Sequence, residues 1–72
     1  MSEVKFTHSV EFEALGMDDL GFFRYIPLHM LCLNEEEANT FAGMLERDKL
    51  QYSNVLVSEL DEPIVEMMNE ND

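Results

Sequence analysis

The chain is 72 residues long and carries 16 Asp and Glu against 4 Lys and Arg, a formal net charge of −12. A chain of this length makes one small domain, residues 1–72, which buries only about 60% of its unfolded surface, so a deep catalytic cleft is not expected. With a pI near 4.2, the surface repels phosphates and anionic lipid, which argues against direct nucleic-acid or membrane binding and for a basic protein partner.

Leu, Ile, Val and Phe make up 21 of the 72 residues, more than the roughly one fifth below which a highly charged chain stays unfolded. A folded core under an acidic skin is expected. The apolar stretch Tyr25 to Leu33 is too short to cross a bilayer, and the Met1-Ser2-Glu3-Val4 start has no signal-peptide character, so a soluble, cytoplasmic protein is expected. A single cysteine, Cys32, rules out an internal disulfide.

Along the chain, Val4, Phe6, His8, Val10, Phe12 and Ala14 alternate with Lys5, Thr7, Ser9, Glu11 and Glu13, the period-two pattern of a half-buried strand. Gly16-Met17-Asp18-Asp19-Leu20-Gly21 reads as a hairpin connection. In the run from Phe22 to Leu33, apolar residues fall on both faces, and Pro27, which cannot donate to a ladder, assigns this strand to a sheet edge or a bulge. Asn34-Glu35-Glu36-Glu37 is a helix start with a capping side chain and acids in the first turn. Ala38, Phe41, Ala42 and Leu45 then form one apolar stripe, the helix is predicted to end near Leu50, and Gly43 suits close packing on the sheet. Val55, Leu56 and Val57 predict a third strand over Tyr52 to Leu60. Asp61-Glu62-Pro63 reads as a second helix start with the stripe Ile64, Met67 and Met68, and Asn69 to Asp72 is expected to fray.

The order is β-β-α-β, an α+β fold with a three-stranded antiparallel sheet in order 2-1-3, one packed helix and a short C-terminal helix. A right-handed crossover through the helix makes the second and third strands parallel to each other and leaves the first between them.

No glycine-rich phosphate loop, nucleophile elbow, HExxH or CxxC occurs, and the residues point to a non-enzymatic protein without cofactor. His29-x-x-Cys32 with His8 could supply three metal ligands, but a spacing of three on a strand puts His29 and Cys32 on opposite faces, so no metal site is expected. The acids do not form one tail but recur along the chain. Glu11 and Glu13 share a strand face at roughly 6.6 Å, a phosphate-like spacing. Together with Asp18, Asp19, Glu35, Glu36 and Glu37 they are the candidate partner-binding residues.

In size and acidity the chain resembles the small inhibitors encoded by bacteriophages and other mobile elements: anti-CRISPR proteins, anti-restriction DNA mimics and inhibitors of host RNA polymerase. The resemblance implies a protein that docks an acidic, DNA-mimicking face onto a basic groove of a host nucleic-acid enzyme or CRISPR effector in the host cytoplasm. The alternative is a protein-binding or homodimerising module that uses the apolar 22–33 strand, with Phe23, Tyr25 and Leu31 as anchors. An acidic antitoxin or regulatory subunit shares the electrostatics and differs in its target.

Overall fold

The period-two alternation becomes β1, Ser2–Met17, in a computed structural model that describes residues 2–68. It is followed by β2, Phe23–Cys32, then α1, Glu35–Glu46, then β3, Tyr52–Met68. The sheet order is β2-β1-β3 with β1 antiparallel to both neighbours, as the alternation of β1 and the position of Pro27 predict. Neighbouring strands put directly opposed side chains on one face, so the even-numbered residues of β1 and β2 face α1 and the odd-numbered ones form the other, open face.

Burial follows this division. Val10, Phe12 and Cys32 lie under Ala38, Ala42 and Leu45 of α1, flanked by Ala14, Phe41, Tyr52, Val55 and Val57. Phe12 is the hub, with its ring edge-on to both Phe41 and Tyr52 at centroid distances of 5.8 Å. Such pairs add to the area they bury. On the open face, Ser9 departs from the expected solvated row: it is 6% exposed, and its hydroxyl lies 3.3 Å from that of Ser58.

Asn34 caps α1 by accepting from the Glu37 N–H at 2.8 Å, while the Glu37 carboxylate reaches back to the Leu33 N–H at 3.3 Å. The box is thus closed one residue earlier than a standard capping box. The helix ends at Glu46, four residues short of Leu50; Arg47 and Lys49 lie beyond it. Gly43 is exposed, with nothing near the place a Cβ would occupy, so it makes no close approach to the sheet.

The short C-terminal helix predicted from Asp61-Glu62-Pro63 does not form; residues 61–68 continue β3. Phe6 pairs with Ile64 and His8 with Glu59, so the four residues Leu60 to Pro63 bulge opposite Thr7 alone. Pro63 sits where no ladder bond is lost. Beyond it, Ile64 and Val65, both β-branched, find an open partner in Phe6 and Lys5, whereas a helix of two turns is marginal in water. A second irregularity, between Glu11 and Glu13, is absorbed by Asn54 at φ 53°, a left-handed position that asparagine tolerates. Since β2 pairs with β1 only from His8 onward, the segments Ser2–Phe6 and Ile64–Met68 form a two-stranded ribbon past the end of β2. The fraying expected of Asn69 to Asp72 lies outside the described residues.

The β1–β2 turn is organised by Asp18. Its backbone C=O accepts from the Gly21 N–H at 3.0 Å, and Oδ1 accepts from the N–H groups of Leu20 and Phe22 at 3.0 and 2.9 Å. Oδ2 lies 3.0 Å from the Arg24 guanidinium, and Gly21 supplies φ 87°. The hairpin therefore depends on a side chain that satisfies two otherwise unpaired donors.

Two outcomes follow for stability in urea. Gly43→Ala raises the unfolding free energy by about 0.5–1 kcal/mol, because it removes helix-interior glycine entropy at a site with room for a methyl group. Asp18→Ala lowers it by about 1–2 kcal/mol through the loss of the turn acceptors. In each case a shift of the midpoint at unchanged slope is the measurement.

Candidate protein-interaction surfaces

The helix rests on β3 and β1 and touches β2 least. That offset leaves the helix-side residues of β2 outside its cover: Ile26, Leu28 and Met30 are 38%, 47% and 47% exposed. Only Cys32, at the end where the chain turns into α1, is buried. Burial first, and then the nearby Glu37 carboxylate, push the Cys32 thiol up from its usual range, so it stays protonated and slow to react. Gly16 lets Ile26 lie flat on β1, since a Cβ there would come within 2.8 Å of Ile26 Cδ1.

On the opposite face of β2 the three anchors named from sequence share one side. Phe23 and Tyr25 are exposed and Leu31 is half-buried. Tyr25 donates its hydroxyl proton to the Leu50 C=O at 2.9 Å, which ties the hairpin to the α1–β3 loop. Phe23 to Met30 is an unbroken run of exposed residues with apolar side chains on both faces. Ile26, Leu28 and Met30 are not among the anchors the sequence suggests, because how far the helix reaches over that face is set by tertiary packing. The sequence signal was present in the doubly apolar pattern of the run.

The seven acidic candidates do not form one patch. Asp18 is committed to the turn and to Arg24, and Asp19 is exposed beside it. Glu11 and Glu13 lie mid-strand on the open face, where Glu13 accepts a hydrogen bond from the Asn54 amide and both line a shallow depression with Pro27 and His29. Glu35, Glu36 and Glu37 lie at the far end of β2 from Asp18, with Glu37 engaged at Leu33.

That far end has gathered other acids. Glu35 and Glu59 line one depression with His8, Asn39, Val57 and Ser58. Thr7 donates to the Leu33 C=O at 2.9 Å, and opposite Thr7, on its other side, the bulge carries Asp61 and Glu62. Glu35, Glu36, Glu37, Glu59, Asp61 and Glu62 are all exposed there. Arg24, Arg47 and Lys49, three of the four cations, lie at the other end, with the hairpin and the α1–β3 loop. Asp18, Asp19, Glu46 and Asp48 accompany these cations, so that end is nearly balanced and the excess negative charge lies at the other. Sequence alone reads Asp61 and Glu62 as a helix start and gives Glu59 no separate role, since their meeting with the helix N-terminus depends on the β1–β3 register.

His8 sits at the core margin with Nδ1 2.8 Å from Thr7 Oγ1. His29 and Cys32 take opposite faces of β2, and among the described residues no group of three or more His, Cys, Asp or Glu is placed to hold a metal ion. No helix among the described residues is long and apolar enough to cross a membrane.

Comparison of the chain with protein-family models, with curated proteins and with solved structures finds no match.

Proposed function

We propose that the protein is a non-enzymatic inhibitor that works by contact, presenting its acidic end to a basic, nucleic-acid-binding surface of a host enzyme or CRISPR effector. The observation that carries this reading is the polarisation of charge: six exposed acids from the helix N-terminus and the β3 bulge gather at one end, while three of four cations lie at the other. Opposite fields steer such an encounter and make it fast and salt-sensitive. Glu35, Glu36 and Glu37 stand on a capped helix and Glu59 on a paired strand residue, so little ordering entropy is lost when these four meet a rigid groove. Glu11 and Glu13, on the open face, extend the negative surface toward the middle of the sheet.

Capture of lysate proteins on the immobilised chain tests this at two ionic strengths. Basic nucleic-acid-handling proteins are expected to be retained at low salt, to be lost by about tenfold at high salt, and to be displaced by added DNA or RNA. The combined variant Glu35→Gln, Glu36→Gln, Glu59→Gln, Asp61→Asn and Glu62→Gln, which spares Glu37 at Leu33, is expected to lose that capture with an unchanged circular dichroism spectrum. Capture that survives the neutralisation, or that nucleic acid does not displace, overturns the proposal.

A further inference from the structure

Both outer strands of the sheet have a free edge, and they are treated differently. β3 carries Glu59, Asp61, Glu62, Glu66, Pro63 and two register irregularities, the devices that keep an edge from pairing with another strand. β2 has no acid in a chain of net charge −12, runs in unbroken register with β1, and exposes apolar side chains on both faces from Phe23 to Met30. Its edge-breaking residues are Pro27 and, beside the turn, Arg24.

The hydrogen-bond phase shows how little Pro27 interrupts. Asp18 donates to the Phe22 C=O at 2.9 Å, so this is a hydrogen-bonded pair, and alternation along the ladder makes Pro27 opposite Glu13 a non-bonded one. The odd-numbered residues Phe23, Tyr25, His29 and Leu31 thus turn their N–H and C=O groups outward, and Pro27 keeps an outward C=O.

We infer that the β2 edge pairs antiparallel with β2 of a second copy about a two-fold axis at Leu28, joining two sheets into one of six strands. An axis at Pro27 would oppose two prolines and empty the central bonded pair. An axis at Leu28 sets Pro27 against His29 of the second copy and keeps one of the two bonds at each such pair. On the helix side Leu28 meets Leu28 of the second copy, and Ile26 meets Met30 of the second copy. Arg24 falls opposite Cys32 of the second copy, beside the Glu37 carboxylate that acts on that thiol. The absence of acids from β2 is what lets two strongly negative chains meet there. A stable pair needs about 800 Å² from each partner, and the surface totals 5700 Å². Ten residues, of which Phe23 to Met30 are exposed, along an edge about 33 Å long offer an area of that order.

Light scattering from about 10 to 300 µM, at low and high salt, reads the mass. Twice the 8.4 kDa of one chain is expected at both ionic strengths. Met30→Glu, at an exposed site, is expected to weaken the pair at least tenfold with unchanged circular dichroism and with Cys32 still protected from thiol reagents. Leu56→Glu, at an exposed apolar position on β3, is expected to leave it intact. Opposed Cα atoms of a non-bonded pair lie about 4.5 Å apart, within disulfide range, so Leu28→Cys is expected to oxidise to a covalent dimer through the introduced thiol. A single-chain mass at 300 µM overturns the inference and leaves the edge to a strand from a different protein. A dimer unaffected by Met30→Glu overturns it as well.

Discussion

The seating of Phe12 between Phe41 of the helix and Tyr52 of β3 decides the rest of the structure. With so few large side chains available for the core, the helix settles where the aromatic contacts are, over β1 and β3. Small residues at Ala38 and Ala42 bring its backbone close to the sheet, and the buried Val10 lies in that same interior. One helix of twelve residues cannot cover three strands. The strand left uncovered is β2, and its apolar surface follows from where the helix sits rather than from any local peculiarity of its sequence.

The same geometry sorts the charges. The helix N-terminus, whose positive dipole end and free N–H groups favour acids, is carried by the short β2–α1 connection to the level at which β3 bulges. Acids from two distant stretches of chain meet there, and Glu37 is drawn into the cap while its neighbours stay in solvent. At the opposite end, the Arg24–Asp18 contact offsets charge and fixes the turn. The molecule thus separates an apolar edge from an acidic end, and each suits a different kind of contact.

Much of the architecture was legible because it rests on local periodicity. The alternation of β1, the Asn34 cap and the proline in β2 led to the strand order without tertiary information. The C-terminal helix was misread because Pro63 after two acids satisfies the local rules for a helix start, while the competing partner, the first five residues of β1, lies some sixty positions away. The Gly43 reading failed for a related reason: its side of the helix could be known only after Phe12 had set the helix rotation. Of the acidic candidates, Asp18 proved structural because the turn needs its carboxylate, a demand that composition cannot express. The gathering of Glu59, Asp61 and Glu62 with Glu35 and Glu36 depends on the register shift at Thr7, which no spacing in the chain announces.

The pairing of Ser2 with Met68 also bears on how the molecule assembles. The β1–β2 hairpin closes through a loop of a few residues, whereas β3 must find the other side of β1 after the intervening helix has been accommodated, an entropic search that slows closure. Until β3 arrives, β1 has one side open along its whole length, and Phe12 has neither of its two aromatic neighbours locked in place. The core is therefore complete only once β3 has joined the sheet, and the hairpin alone has no interior to hold it.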